Sequence, residues 1–201
     1  GLTWSGFRPS DDACIYGYLN PSNMFATVVL GYKETIAHEV LKDEALAAEA
    51  ASLKKENQDA IESMASVENN YYGKVYAYEV DGYGQYMLMD DANVPSLLAM
   101  DYLGYEADDR QVVENTRNFV LSCANPYYYE GSCAKGVGSQ HTKPGYIWHI
   151  ALAIQGLTSK TKEEELAILN TMKNTDAGKH MMHEGFDVND PANYTREWFS
   201  W

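Results

Sequence analysis

The sequence predicts an all-α fold in which a ring of buried inner helices is wrapped by more exposed outer helices. Two observations support this fold class. Helical segments that are apolar on nearly all sides alternate along the chain with charged segments that carry a single apolar stripe. A simple helix bundle would instead give every helix one apolar stripe, so the alternation favours two concentric layers. The strand signal is limited to a small hairpin around Asp81-Gly82.

The first helix pair lies in the N-terminal third of the chain. Residues 22–32 are apolar nearly all round and predict a buried helix. Residues 43–69 are long and charged and predict a surface helix, with Asn57 interrupting its apolar stripe. That stripe consists of Leu46, Ala50, Leu53, Ile61 and Met64.

The second pair follows the hairpin, which is predicted from alternating aromatic residues over 75–88. Asn93 has the character of a helix cap, with Pro95 in the first turn of a buried helix that runs through Leu103. Residues 108–122 carry apolar side chains on one face and predict its outer partner.

The third pair begins with residues 146–157, which are apolar on most sides. Thr161 and Glu164 have the spacing of a capping box for a charged helix. The preceding stretch 125–145 is rich in Gly, Ser, Pro and Tyr and is long for a plain connection, which favours a functional loop. Three helix pairs do not close a ring. We therefore expect residues 1–201 to be one partial domain, completed by further sequence or by another chain.

Composition limits the classes of partner. Hydrophobic residues make up 45% of the 201 residues, and no apolar run is long enough to span a bilayer. The net charge of −14 repels nucleic acid and anionic membrane surfaces, so we expect neither as a partner. A neutral ligand such as a sugar suits this balance. Most of the 16 tyrosines are expected to serve in packing.

The cysteines bear on the compartment. Their odd number, three, and the absence of metal-type spacing argue against a disulfide framework and favour reduced, buried thiols, with a Cys123–Cys133 bridge as the alternative. From these cysteines we expect a cytoplasmic protein. No signal peptide is visible at Gly1, which is also compatible with a longer parent chain. A secreted protein is the alternative, and in it Asn193-Tyr194-Thr195 would be a glycosylation sequon.

Acidic residues set among aromatic ones are the main functional signal. Carboxylates are costly to keep ionised in apolar surroundings, and glycosidases use two carboxyl groups held in different environments. Aromatic faces also stack on sugar rings. The acidic residues in such surroundings are Asp11, Asp12, Asp90, Asp91, Glu184 and Glu197.

Other interpretations of these motifs stay open. Both aspartate pairs also fit turns or helix caps, which explain such pairs about as well. His180, His183 and Glu184 do not have the spacing of a zinc motif, so we expect no metal ion. Residues 136–139 lack the lysine of a phosphate loop, and there is no nucleophile elbow. We expect no cofactor.

Several stretches resemble glycoside hydrolase family 125, the metal-independent exo-α-1,6-mannosidases. The resemblance spans nearly the whole chain, with little of it in residues 35–69. It implies an (α/α)6 barrel, of which this chain matches the later half, and hydrolysis with inversion at the anomeric carbon. The matching stretches are 3–13, 76–82, 89–96, 144–148, 183–186 and 194–201.

The resemblance also implies catalytic roles. The family's general acid is an aspartate in the Ser-Asp-Asp-Ala segment, which places it at Asp11, with Asp12 as the fallback. The general base is a glutamate that matches Glu184. Gly185 stands where a serine is expected in the family. Further residues are candidates to contact or stabilise the sugar: Arg8, Asp12, Asp91, Asn93, His141 and Arg196.

The expected ligand is a mannose-containing oligosaccharide or N-glycan, bound where the missing N-terminal half of the domain completes the barrel. Two alternatives remain from the sequence. One is another inverting (α/α)6 hydrolase, such as a glucoamylase-like glucosidase. The other is a fragment that binds sugar without hydrolysing it.

Overall fold

The computed structural model describes residues 1–199 of the protein, and within this range the fold is helical with small sheets. The predicted helical class is therefore confirmed, but the structure has four small sheets where a single hairpin was expected. The helices are α1 (Asn20–Ile36), α2 (Glu44–Met64), α3 (Met100–Leu103), α4 (Arg110–Val120), α5 (His149–Leu157) and α6 (Lys162–Asn174). The strands are β1 (Tyr18–Leu19), β2 (Ser66–Asn69), β3 (Gly73–Tyr76), β4 (Glu79–Val80), β5 (Tyr86–Met87), β6 (Tyr128–Glu130), β7 (Lys135–Val137), β8 (Tyr146–Ile147), β9 (Gly185–Asp187) and β10 (Tyr194–Thr195).

Helices that follow one another in the chain pack together at both ends of the molecule. Helix α1 packs against α2, and α5 packs against α6, as the inner and outer pairs predict. In the middle of the chain, α4 packs on strand β3 instead of on a long inner helix. The closed (α/α)6 barrel remains a prediction.

The α1–α2 interface is built on small and polar side chains. The buried face of α2 includes Ala47, Ala50 and Asn57, whereas Leu53 and Met64 of the predicted stripe are 42% and 38% exposed. Alanines let two helices approach closely. The Asn57 side-chain nitrogen donates to the carbonyl of Asn23 on α1 at 2.7 Å and to Thr27 Oγ1 at 2.8 Å, whereas its buried Oδ1 has no partner within residues 1–199.

Residues 22–32, predicted to be a buried helix, lie within helix α1, but this helix is not buried all round. Four apolar side chains spaced four, three and four residues apart share its outward side. We call Phe25, Val29, Tyr32 and Ile36 the apolar α1 face; they are 39%, 45%, 59% and 51% exposed. The prediction of a fully buried helix was therefore wrong for this side.

The predicted helix starts are largely confirmed. Asp43 caps α2 and Asp109 caps α4, each accepting a backbone N–H with its side chain. Thr161 caps α6 by accepting from the N–H of Glu164 at 3.2 Å. The Glu164 carboxylate does not complete a capping box, because it pairs with Arg117 of α4 at 2.8 Å.

The helix expected from Asn93 is much shorter than predicted. Helix α3 begins only at Met100. The Asp90 carboxylate instead accepts the N–H groups of Leu97 and Leu98, at 2.8 and 2.9 Å, and holds the preceding segment as a capped turn.

The structure has two three-stranded antiparallel sheets, and the predicted site residues Glu184 and Arg196 directly flank strands β9 and β10 of one of them. The predicted hairpin is present in part, as the two-residue strands β4 and β5, and β1 adds to it in the order β1-β4-β5. Val75 and Tyr76, which were expected in the hairpin, belong to β3 and pair with β2. The hairpin loop spans residues 81–85 and is closed by the N–H of Asp81 donating to the Gln85 carbonyl at 3.1 Å, so it is longer than a two-residue turn. The second sheet has the order β10-β9-β8.

The cysteines are free, as expected, but their burial differs from the prediction. Cys14 is half-buried, whereas Cys123 and Cys133 are exposed. Across residues 1–199, no helix has the length and apolar character that a membrane crossing requires.

Candidate functional site

Asp11 and Asp12 lie at the tip of a hairpin-like segment, residues 5–17, which we call the N-terminal loop. Backbone hydrogen bonds join its two arms, and the N–H of Arg8 donates to the Asp12 carbonyl at 2.8 Å near the tip. The turn is closed further by the N–H of Asp11, which donates to the Arg8 carbonyl at 3.0 Å. The aspartates are therefore presented by a short, backbone-bonded turn.

Asp11, the predicted acid, is exposed, and the orientation of its carboxyl group is set by its backbone conformation. Its φ of +66° lies in the left-handed region, which non-glycine residues seldom adopt and which clusters at functional sites. No side chain within residues 1–199 lies within hydrogen-bonding or ion-pairing distance of its carboxylate. The direction of this carboxyl group therefore depends on how the N-terminal loop is held.

Asp12 and Asp91 meet around one hydroxyl group. Ser10 Oγ lies 2.9 Å from Asp12 Oδ2 and 3.3 Å from Asp91 Oδ2. Asp91 also accepts from Ser139 Oγ at 2.9 Å and from the N–H of the buried Asn93 at 3.2 Å. Burial raises the pKa of Asp91, against the lowering effect of these hydrogen bonds. Three of the predicted site residues are thus brought together.

Asp90, the neighbour of Asp91, has a structural role. It is fully buried and caps the turn that leads to α3. Burial raises its pKa to about 7, although the capping N–H groups favour its ionised form. The acidic pair therefore divides, with Asp91 facing the site and Asp90 serving as the cap that was the alternative interpretation of the motif.

The segment after β7 connects the aspartates to the rest of the site. His141 Nδ1 lies 3.6 Å from Asp12 Oδ2, and its ring meets Trp148 edge to face at a centroid distance of 6.3 Å. The Trp148 indole N–H donates to Thr142 Oγ1 at 2.9 Å. A Cβ atom at Gly138 would lie about 2.0 Å from the carbonyl oxygen of Tyr146, so this position requires glycine.

Glu184, the predicted base, immediately precedes β9 and is 4% exposed. Arg196 Nε lies 3.3 Å from Glu184 Oε1, while the Arg196 side chain is 57% exposed. The N–H of Glu184 donates to the carbonyls of Thr195 and Arg196 at 3.2 and 3.3 Å. Backbone and ion pair together fix this carboxylate beside a solvent-facing cation.

Gly185, which follows Glu184, packs against residues that lie close to His141 and Asp12. A Cβ atom at Gly185 would lie 3.1 Å from Trp148 Nε1 and 3.3 Å from Thr142 Cγ2. The residue after Glu184 therefore rests on the Trp148–Thr142 pair, which also contacts His141. A serine here, as the family resemblance leads us to expect, would require Trp148 and Thr142 to shift by a few tenths of an ångström.

Two histidines support the base from behind. The N–H of His183 donates to His149 Nδ1 at 2.9 Å, and His149 Nε2 lies 3.0 Å from Thr175 Oγ1. His149 must therefore be neutral with its proton on Nε2. Burial lowers its pKa to about 4. The His183 ring stacks on Tyr194 of β10 at 3.9 Å.

The H-x-x-H-E segment does not gather metal ligands in the part of the chain that the structure describes. His180 points to solvent and pairs with Asp176 at 3.2 Å. Among residues 1–199, no group of three or more His, Cys, Asp and Glu side chains is arranged to hold a metal ion.

Arg8 lies beneath the N-terminal loop, with its side chain 1% exposed. Its Nε donates to Glu79 Oε1 at 2.7 Å, and its Nη1 donates to Gln140 Oε1 at 2.9 Å. A direct contact between Arg8 and a sugar hydroxyl stays a prediction.

Sequence reasoning missed several residues that build this site. Ser10, Ser139 and Thr142 act through single hydroxyl groups, which give no signal in a sequence. Glu79 did have a signal, namely a charged residue inside an otherwise apolar and aromatic strand segment. Ser200 and Trp201, the end of one matching stretch, lie outside the described residues.

Comparison with known proteins shows extensive similarity. The family model for metal-independent α-mannosidases (GH125) matches residues 1–201. The Meiotically up-regulated gene 157 protein of Schizosaccharomyces pombe is 41% identical over all of this chain, which covers 39% of that protein. A Streptococcus pneumoniae protein was solved in a study of metal-independent α-mannosidases and N-linked glycan processing, as a non-productive complex with α-1,6-mannobiose. It is 51% identical with a TM-score of 0.94, over 99% of this chain and 47% of that one.

Proposed function

Because the chain belongs to the GH125 family of metal-independent α-mannosidases, we propose that it supplies the catalytic residues of a glycoside hydrolase. The proposed reaction releases terminal α-1,6-linked mannose from an oligosaccharide or N-glycan, with inversion at the anomeric carbon. The chain spans 39% of the S. pombe relative and 47% of the S. pneumoniae one, so the activity is proposed for the full-length protein.

One observation carries the proposal. The segments that carry Asp12 and Glu184, from opposite ends of the chain, both pack against the segment that contains His141, Thr142 and Trp148. Asp12 contacts His141, and the backbone that follows Glu184 packs on Trp148. A glycosidase needs such a pair of carboxyl groups, in different environments and on the two sides of one sugar.

We assign the acid to Asp11 and the base to Glu184. Asp11 gives its proton to the glycosidic oxygen as the C1–O bond breaks. Glu184, ionised beside Arg196, takes a proton from the water whose oxygen bonds to C1 from the opposite face. The products are mannose of inverted configuration and the shortened glycan, and an inverting site separates the two carboxyl groups by about 6.5–9.5 Å.

The remaining site residues have supporting roles in this scheme. Asp91, held by Ser139 and Asn93, places a second acidic group beside Asp12 that stabilises positive charge at the anomeric carbon. His141 has a side chain that is 34% exposed and a ring nitrogen beside Asp12, which suits a hydroxyl contact. Asn93 and Arg196 are proposed contacts of the same kind.

The remainder of a full-length domain is proposed to complete the barrel. The apolar α1 face supports this partner, because four exposed apolar side chains on one helix side are unusual for a surface that stays in water. A groove of about 820 Å³ lies between α1 and α2, and no predicted site residue lines it. We therefore assign the sugar to the carboxylate side.

The test is the anomeric form of the first product. The full-length protein should release β-mannose from α-1,6-mannobiose, seen by proton NMR before mutarotation. Glu184→Gln should abolish release, while Glu114→Gln, which alters an exposed carboxylate paired with Lys160, should not. Near-normal release by Glu184→Gln would reject the assignment. Cleavage of glucosides alone would indicate a glucoamylase-like enzyme, and binding without release would indicate a sugar-binding protein.

A further inference from the structure

Glu79 on β4 is fully buried and holds the N-terminal loop by both carboxylate oxygens. Its Oε1 accepts from Arg8 Nε at 2.7 Å. Its Oε2 accepts from the backbone N–H groups of Ile15 and Tyr16, at 2.8 and 3.0 Å. One carboxylate thereby grips both arms of the loop, on either side of the tip that carries Asp11.

Arg8 extends this grip to the other side of the site. Its side chain is as buried as that of Glu79, and its Nη1 donates to Gln140 Oε1 at 2.9 Å. Gln140 lies between Ser139, which binds Asp91, and His141, which lies beside Asp12. The loop and the segment around Gln140 are therefore fixed relative to each other through one guanidinium group.

Asp11 depends on this arrangement because its carboxylate has no side-chain partner within residues 1–199. Its position follows from the backbone of a tight turn closed by Arg8 and Asp12. A shift of the arms at Arg8, Ile15 or Tyr16 would move the tip and turn the Asp11 carboxyl away from a bound glycosidic oxygen. Misplacing a catalytic group by about 1 Å is enough to lower a rate on the order of a hundredfold.

A buried ion pair is weak evidence of stabilisation, because apolar residues of the same volume often serve stability equally well. Such pairs do fix one geometry, since each oxygen and each N–H requires its own partner. The Glu79 pair satisfies two backbone amides as well as a guanidinium group, which an apolar substitute could not do.

We infer that Glu79, acting through Arg8 and the Ile15 and Tyr16 amides, is a positioning residue that sets the orientation of the Asp11 carboxyl group. The inference rests on the proposed function, since it takes Asp11 to be the general acid. Glu79 itself touches no sugar, and its effect is specific to proton donation to the leaving group.

That specificity gives the test. α-1,6-Mannobiose has a leaving group that must be protonated, whereas α-mannosyl fluoride has one that departs without a full proton transfer. General acid catalysis contributes about 10²–10⁴-fold to a rate. In the full-length protein, Glu79→Gln should lower kcat for mannobiose by about a hundredfold, with KM changed less than about threefold, and leave fluoride hydrolysis within about threefold of wild type.

A matched control breaks another arginine–carboxylate pair. Arg110 holds Asp101 at 2.6 and 3.0 Å on the α3–α4 side of the molecule, so Asp101→Asn should leave both substrates unaffected. Hydrogen exchange of the amides in residues 5–17 reports the loop directly. Protection there should fall in Glu79→Gln and stay unchanged in Asp101→Asn.

The outcomes separate this inference from the proposed function. Equal losses on both substrates would show that Glu79 is merely structural, and unchanged mannobiose cleavage would show that it positions nothing. If Glu79→Gln does not fold, Arg8→Lys tests the inference through the same ratio of mannobiose to fluoride hydrolysis. Lysine keeps the positive charge but lacks the guanidinium N–H groups that bind Glu79 and Gln140 together. Full activity in Glu184→Gln would instead reject the proposed function.

Discussion

The two proposed catalytic carboxyl groups are held in opposite ways. Asp11 is exposed at the tip of the N-terminal loop, and within the described residues no side chain touches its carboxylate. Glu184 is 4% exposed, ion-paired with Arg196 and backed by His149 and His183. The direction of the Asp11 carboxyl group is set by the backbone of the N-terminal loop. The Glu184 carboxyl group is instead held by a side-chain contact with Arg196, next to His183.

This difference matches the two tasks. A general acid must be reprotonated in each cycle, and exposure of Asp11 gives it access to solvent. A general base must stay ionised and aimed at a single water molecule, and the Arg196 pair serves that need. The comparison predicts that the two sides respond differently to substitution.

The largest expected effect comes from removing each carboxyl group in turn. Asp11→Asn should lower the full-length protein's kcat for α-1,6-mannobiose by about 10³-fold but spare α-mannosyl fluoride. Glu184→Gln should lower kcat for both substrates, because both need an activated water. Steady-state kinetics on the two substrates measure this contrast, with Glu114→Gln as the exposed control.

Asp12→Asn separates the two candidates for the acid. Asp12 shares Ser10 with Asp91 and lies beside His141, so its loss should weaken binding and raise KM more than it changes the substrate ratio. A selective loss on mannobiose in Asp12→Asn, without one in Asp11→Asn, would transfer the acid role to Asp12.

The second effect concerns stability on the base side. The pKa of His149 is about 4 in the fold against 6.5 when unfolded. Between these values the unfolded chain binds a proton at His149 that the folded chain does not, so His149 should contribute a loss of about 3 kcal/mol of unfolding free energy on acidification from pH 6.5 to 4. Buried Asp90, whose pKa is raised to about 7, contributes with the opposite sign over the same range. Urea unfolding at a series of pH values measures the net dependence.

Two variants make the pH test specific. His149→Gln removes the titrating ring, so the difference in unfolding free energy between wild type and His149→Gln should change by about 3 kcal/mol over this range, since Asp90 titrates in both proteins. The exposed-site variant His180→Gln should keep the wild-type dependence. An unchanged slope in His149→Gln would contradict the buried neutral histidine behind Glu184 and would weaken the contrast between the two sides.

Local structure was predicted from the sequence more accurately than the burial and tertiary contacts of each residue. The cap at Thr161 was predicted because a cap depends on residues a few positions away. The exposure of Val29 was not, because what covers an apolar face lies far along the chain or outside it. Apolar periodicity alone does not state how many sides of a helix are covered.

The site shows the same limit. Asp12, Asp91 and Glu184 were predicted as site residues because they are acidic residues among aromatic ones. In the structure Asp12 and Asp91 lie around Ser10, and the residue after Glu184 packs on Trp148, which also contacts His141 beside Asp12. The charge of Glu79 within an apolar strand segment was a signal, but it did not indicate the residue's role, because that role comes from bonds to a loop more than sixty residues away in the chain. Hydrogen bonds between residues so far apart in the chain can be identified only from a three-dimensional structure.

A smaller effect is expected from the ion pair that holds the base. Arg196→Met should lower kcat about tenfold on both mannobiose and α-mannosyl fluoride, because a charge-assisted contact to Glu184 is lost. Lys179→Met, which removes the exposed partner of Glu197, is the control and should have no such effect. A loss confined to mannobiose would place Arg196 with the acid instead.

The smallest effect is expected at the apolar α1 face. In the 201-residue chain alone, Val29→Glu with Tyr32→Glu should reduce self-association, seen by sedimentation, and change the unfolding free energy by less than about 0.5 kcal/mol. In the full-length protein the same pair should destabilise by roughly 1–3 kcal/mol if the face is covered. Leu169→Glu, at an exposed position of α6, is the control.

The most direct test is the separation of the Asp11 and Glu184 carboxyl groups in an experimental structure of the full-length protein with a bound mannoside. The account predicts that the two groups flank the same sugar, about 6.5–9.5 Å apart, with a water molecule on the Glu184 side. A spacing near 5 Å, or two carboxyl groups that face different cavities, would contradict it.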